Sequence, residues 1–151
     1  MCNESSNPIL TNCTMTSNTA LLSGGALYSR DSSPTMTNCI LWGNSPDEIY
    51  GKEATLTYSN IQGGPVDETN HNIDLDPLFA DPENGDFHLK SQVGRWDPVS
   101  ENWIMDDVTS PCIDAGDSSD YSMEPPPNGD RINMGAYGGT EEASKSPLDS
   151  L

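Results

Sequence analysis

Positive charge is what this sequence most lacks. Only Arg30, Lys52, Lys90, Arg95, Arg131 and Lys145 stand against 24 acidic residues, which leaves a net charge of -18. Such a surface excludes nucleic acid as a partner, because phosphate binding needs clustered cations. Acidic polysaccharides are repelled too, unless divalent cations bridge them. Long hydrophobic runs are also missing. No stretch of about 18 apolar residues exists, so no membrane-spanning helix is encoded. Met1 to Asn12 has neither the basic start nor the apolar run of a secretory signal. Histidine is confined to His71 and His88, and neither has a Ser or Cys placed beside it as a nucleophile. The four cysteines, Cys2, Cys13, Cys39 and Cys112, fit no zinc spacing. At 151 residues, 33% of them hydrophobic, the chain suffices for one domain with a core of modest size.

What is present is a repeat. Shifting Ser32 to Asn44 back by 26 positions lays Pro34 on Pro8, Met36 on Leu10, Asn38 on Asn12, Cys39 on Cys13, Leu41 on Met15 and Asn44 on Asn18. Moving it forward by 20 lays Met36 on Leu56, Thr37 on Thr57, Cys39 on Ser59, Leu41 on Ile61 and Gly43 on Gly63. Periods of this length mark solenoids. Three inward columns result: Leu10, Met36 and Leu56; Cys13, Cys39 and Ser59; Met15, Leu41 and Ile61. Three residues separate Leu10 from Cys13, so alternation breaks and a bend must lie between them. Asn12 and Asn38 occupy that bend and tolerate left-handed backbone. Tyr58 replaces them in the third copy, where a different or wider bend is expected. Stacked cysteines stand about 4.8 Å apart with parallel side chains, whereas a disulfide requires Cβ atoms at about 3.8 Å. Free, buried thiols are therefore expected.

The expected organisation is repeat coils over 1–63, a C-terminal coil and cap over 64–139, and a flexible tail over 140–151. Ser23-Gly24-Gly25-Ala26-Leu27-Tyr28 supplies another strand of the coil, and Met1-Cys2-Asn3 aligns with Leu27-Tyr28-Ser29, so the first coil starts partway through its circuit. Its open end calls for upstream coils or another subunit to cover it. Further on, Asn84-Gly85 marks a tight turn before a strand over 87–89. An excursion over 91–109 carries Trp96 and Trp103, and Ile132 to Tyr137 alternates like a final strand. Charge divides the same way. Of the 24 acids only Glu4 and Asp31 precede Ser45.

These residues carry a family likeness. The repeat resembles the right-handed parallel β-helix repeats of secreted bacterial proteins. Gly24-Gly25-Ala26-Leu27 with Leu41-Trp42-Gly43-Asn44 is similar to the Gly-Gly-Ala-aliphatic and Phe-x-x-Asn motifs of polymorphic outer-membrane proteins, with Leu41 in place of Phe. Asp76-Pro77-Leu78-Phe79, Asn84-Gly85-Asp86-Phe87-His88-Leu89, Ser110 to Asp117 and Asn133 to Tyr137 resemble the block that closes many such proteins. The resemblance implies an all-β, right-handed parallel β-helix of about three coils with an irregular C-terminal cap, and it implies secretion or surface display. It does not fix function, because such folds include lyases, hydrolases, adhesins and glycan-binding modules.

Chemistry narrows the choice. A pectate-type lyase needs clustered carboxylates for calcium and an Arg or Lys base, yet the coils hold only Arg30 and Lys52 and no recurring carboxylate ladder. Asp81 with Asp86, or Asp114 with Asp117, has the composition of a glycosidase pair, although each Asp lies in a turn-forming setting. Asp74, Asp76, Asp81 and Asp86, close in sequence, are candidates for a structural calcium; no other cofactor is expected. The threonines of Thr35-Met36-Thr37 and Thr55-Leu56-Thr57 would form an outward ladder, too short for an ice-binding face. Flat rings stack on sugars, and Trp42, Tyr58, Trp96 and Trp103 are the candidates for that role. The expected function is a non-catalytic extracellular module binding polysaccharide or a cell-surface glycan, as the C-terminal fragment of a larger protein. The alternative is the terminal part of a secreted polysaccharide lyase or glycoside hydrolase.

Overall fold

The structure, a computed structural model, describes residues 1–51 and 54–147; Lys52 and the last four residues of the expected tail lie outside the described residues. The fold is all-β, with one 3-10 turn (Pro82–Asn84) and no helix among the described residues long and apolar enough to cross a membrane. The chain forms two compact units, Met1–Leu75 and Asp76–Leu151. Residues 64–75 thus belong with the coils and not with the second unit.

The first unit holds β1 (Cys2–Glu4), β2 (Ile9–Thr11), β3 (Thr14–Thr16), β4 (Leu27–Arg30), β5 (Thr35–Thr37), β6 (Ile40–Trp42), β7 (Ile49–Tyr50), β8 (Thr55–Thr57) and β9 (Asn60–Ile61). They make three parallel sheets, β1-β4-β7, β2-β5-β8 and β3-β6-β9. Each sheet takes one strand from each repeat, which is β-helix-like stacking. Register matches the sequence columns: Met36 stands between Leu10 and Leu56, and Leu41 between Met15 and Ile61. Met36, Cys39 and Leu41 are fully buried at the middle level, and Leu10, Cys13, Met15, Ile49 and Leu56 pack against them from the two neighbouring levels.

The bend between the second and third strands of each coil is left-handed, with φ of 51° at Asn12, 56° at Asn38 and 49° at Tyr58. Tyr58 therefore keeps the bend that Asn sets, and no wider turn forms. Its ring is stacked on His71 at 4.6 Å. Side-chain amides stack as well: Asn38 Nδ2 donates to Asn12 Oδ1 (3.3 Å), and Asn18 Nδ2 to Asn44 Oδ1 (2.8 Å). Buried Asn44 is itself held by the buried Glu48 carboxylate, which accepts its backbone N–H at 2.9 Å. Gly25 is obligatory here, because a Cβ would stand 2.6 Å from the Ser45 nitrogen. Residues 70–75 extend the third coil: the Ile61 N–H donates to Ile73 O (2.9 Å), and the Ile73 N–H to Ser59 O (2.9 Å).

The second unit is less regular. Its strands are β10 (Phe79–Asp81), β11 (Asp86–Leu89), β12 (Arg95–Asp97) and β13 (Asn102–Ile104), paired as the antiparallel hairpins β10-β11 and β12-β13. Asn84-Gly85 makes the first turn, with Gly85 left-handed at φ 84°. The final strand expected over 132–137 is not formed. Gly116 and Met134 donate N–H groups to Ile132 O and Cys112 O, but Asn133 turns its side chain to Asp114 N and Ser144 O instead of continuing a ladder. Nor is the segment from Thr140 to Pro147 a loose tail. Ala143, Ser144 and Ser146 are buried, Ser144 Oγ donates to Leu89 O (2.6 Å), and Lys145 N donates to Gly94 O (2.9 Å).

Candidate functional site

Alternation along β11 and β12 builds a polar cleft in the second unit. In β11, Asp86 and His88 are two residues apart and share a face. The Asp86 carboxylate receives the His88 Nδ1 at 2.6 Å and its own strand's His88 N–H at 3.1 Å, and His88 is 1% exposed. The other ring nitrogen lies 3.2 Å from Glu142 Oε2, and the ring stacks on Tyr137 at 3.6 Å between centroids. In β12, Arg95 and Asp97 share a face while Trp96 points the other way. Arg95, 7% exposed, donates from Nε to Asp106 Oδ2 (3.1 Å) and from one terminal nitrogen to Asp86 Oδ2 (3.4 Å). Asp106 is fixed in turn by the Ser91 N–H at 2.9 Å. A buried guanidinium between two carboxylates, each tied elsewhere, is rigid and electrically matched.

Above this floor lies a cavity of about 340 Å³ whose walls include Asp81, Asn84, Asp86, Arg95, Asp97 and Tyr137. Asp81 and Asp86 are paired across β10-β11, so their side chains face the same way. Asp81 is oriented by the Asn84 amide, which donates at 2.7 Å. Asp97 accepts the Ser100 hydroxyl and N–H at 2.5 and 3.0 Å, and these bonds hold its carboxyl below the usual range. Burial, then the charges of Asp86 and Glu142, push the Tyr137 phenol up, so it stays a protonated donor. Among the described residues its hydroxyl has no hydrogen-bond partner. Three carboxylates of the lining, Asp81, Asp86 and Asp97, face one cation, Arg95, which is bonded to Asp86 and acts only weakly on Asp97. The cleft therefore offers carboxylate acceptors and one phenolic donor, a set that suits hydroxyl- or amine-bearing ligands and repels anions.

The aromatic candidates are scattered. Trp96 and Trp103 pair directly across β12-β13, edge to face at 5.6 Å, with the Lys145 ammonium 4.3 Å from the Trp103 ring centre. Trp42, at the outer end of β6, and Tyr58, stacked on His71, belong to the first unit. The stacked pair Tyr28 and Tyr50, 5.0 Å apart on neighbouring strands, does not stand out in the repeat alignment, although their common column makes it readable.

The carboxylate candidates outside the cleft accept nearby N–H bonds or are exposed. Asp76 Oδ1 accepts the Leu78 N–H, Asp114 Oδ1 the Gly129 N–H and Asp117 Oδ1 the Ser119 N–H. Asp74 is exposed, and it falls in the first unit while Asp76, Asp81 and Asp86 fall in the second. Among the described residues no group of three or more His, Cys, Asp or Glu is placed to hold a metal ion. Arg30 pairs with Glu4 at 3.7 Å on an exposed surface. Sequence reading misses Arg95, Asp97 and Tyr137 as site residues. The i, i+2 spacing of Asp86 and His88 is the one local signal, whereas Tyr137 joins them only through the tertiary fold.

The sequence model of a family described as disaggregatase related matches residues 6–116, which runs from before β2 through β13 and takes in most of the cleft but not Tyr137. No curated protein and no solved structure matches the chain.

Proposed function

The chain belongs to the disaggregatase-related family, and on that premise we propose that it is a non-catalytic extracellular module that binds carbohydrate in the Asp81–Arg95–Tyr137 cleft. In this reading the first unit is a right-handed parallel β-helix of about three coils that serves as a scaffold. A protein of this kind, secreted or displayed at a cell surface, would hold the material on which a disaggregating activity works. The observation that carries the reading is the cleft: a cavity of about 340 Å³ with prefixed acceptors and a phenol that has no internal bond to lose. Prefixed polar groups reduce the ordering cost of binding a polyhydroxylated ligand. The excess of carboxylates over the single Arg95 guanidinium in the lining selects neutral or amine-bearing sugars over uronates.

Affinity electrophoresis of the full chain in gels containing galactomannan, chitosan or polygalacturonate tests this. Retardation is expected in the first or second gel, not the third, and is lost in Tyr137→Phe. Migration unchanged in all three gels refutes the binding reading. The same-face pair of Asp81 and Asp86 favours one rival, a glycoside hydrolase. Asp86, however, is engaged by His88 and Arg95, which leaves Asp81 to supply the acid. Release of reducing ends from either polymer, abolished in Asp81→Asn, would replace binding with hydrolysis.

A further inference from the structure

Asn-Gly occurs twice in the chain, at Asn84-Gly85 and at Asn128-Gly129. The first pair is there for its shape. Asn84 ends the 3-10 turn, Gly85 is left-handed at φ 84°, and the Gly85 N–H donates to Pro82 O at 3.3 Å. A tight turn uses glycine in this way. The second pair has no such use, because Gly129 is outside the left-handed region and neither residue lies in a turn or strand.

What requires glycine at position 129 is space. A Cβ there would stand 2.2 Å from Asp114 Oδ2 and 2.6 Å from Asp114 Cγ, too close for any side chain. The carboxylate comes this near because its other oxygen, Oδ1, accepts the Gly129 N–H at 3.1 Å. Asp114 is itself placed by the core of the second unit: its N–H donates to Oδ1 of the buried Asn133 at 2.8 Å. Asn128 is oriented too, with Nδ2 donating to Glu124 O at 3.3 Å. A carboxylate, the amide N–H bonded to it and the asparagine side chain one residue before thus meet on the wall of a cavity of about 510 Å³.

We infer that Asn128-Gly129 is a self-modification site, at which Asp114 is the base that helps convert Asn128 to a cyclic imide and then to aspartyl and isoaspartyl products. An amide N–H bonded to a backbone carbonyl, as at Gly85, has no group to take its proton; one bonded to a carboxylate does. Asp114 takes the Gly129 proton in the plane of the peptide, and the nitrogen attacks Asn128 Cγ out of that plane to close a five-membered ring. Without a Cβ at position 129, nothing hinders the closure. The Cγ–Nδ2 bond then breaks, and the departing nitrogen recovers the proton from Asp114 and leaves as ammonia. Water from the cavity adds to either imide carbonyl and opens the ring. The product carries a carboxylate where the amide had donated to Glu124 O.

Ageing the full chain at neutral pH, with peptide mapping by mass spectrometry and isoaspartyl methyltransferase labelling, reads both Asn-Gly pairs in one sample. Product should accumulate at position 128 ahead of position 84, and faster in the folded protein than in the same chain held in guanidinium. Asp114→Asn still offers an oxygen to the Gly129 N–H but cannot take its proton. It should slow position 128 by about a hundredfold and leave position 84 unchanged. A wild type modified at position 128 no faster folded than denatured overturns the proposal, and that comparison needs no variant. So does an equal rate at position 128 in Asp114→Asn whose circular dichroism matches the wild type.

Discussion

Replacing Leu41 by Ala removes the centre of the first unit. Leu41 is fully buried, faced by Met15 on one side and Ile61 on the other. Deleting such a leucine loses its transfer free energy and leaves a cavity whose walls are fixed strands, which costs about 2–5 kcal/mol. Met15→Ala, in the same column but at the half-buried outer level, forfeits less, about 1–2 kcal/mol. A unit of this size has roughly 4–11 kcal/mol in all, so the first change removes a large share and the second a small one. Native-state hydrogen exchange at the Ile40 and Asn60 amides reads the first unit alone, because these N–H groups donate to Cys13 O (2.9 Å) and Cys39 O (2.8 Å). Protection should fall by at least about thirtyfold in Leu41→Ala and by less in Met15→Ala. Equal losses, or a loss under about 1 kcal/mol for Leu41, would mean that the levels do not support one another.

Three further outcomes rest on single groups. Glu124 is buried with Oε1 accepting the N–H groups of Asn133 and Gly139 at 2.8 Å each and Oε2 unpartnered; burial is the main cause that raises its pKa. A carboxyl raised in the folded state favours folding below its unfolded value near 4.5 and loses that contribution as pH rises through the folded value. The melting point of Glu124→Gln minus that of wild type should therefore climb with pH across this window, and a flat difference refutes the assignment. Burial pushes the Cys39 thiol up to about 12, so a disulfide reagent at pH 8 should label exposed Cys2 and spare Cys39 in the folded protein; rapid labelling of Cys39 would show an open core. If Asp74, Asp76, Asp81 and Asp86 hold a structural calcium, a chelator should lower the melting midpoint by several degrees; an unchanged midpoint would remove that expectation.

Much of the first unit is legible in the sequence because every level repeats the same physical problem. Leu10, Met36 and Leu56 recur at matching offsets, so one alignment yields columns, register and bend together. Tyr58 misleads because residue preference is not what causes the bend. Two well-formed levels beneath it impose φ of 49° whatever the side chain, and the ring rests on His71. The second unit has no repeat, so its pairings have no template. Asn133 looks like a strand residue, yet its amide bonds Asp114 and Ser144 across the fold. The site is the least legible part. Trp96 and Trp103 stand out as aromatics, while the alternation of β12 turns Arg95 and Asp97, not Trp96, into the cleft. Charge alone hides Arg95, because its partners Asp86 and Asp106 look like two more acids in an acidic segment.

Amide chemical-shift mapping during a titration with neutral manno- and galacto-oligosaccharides goes straight to whether the cleft takes sugar. The largest movements should fall on residues 81–86, 95–99 and 137. Movements confined to the surroundings of Trp42 and Tyr58, or none at saturating oligosaccharide, would contradict it.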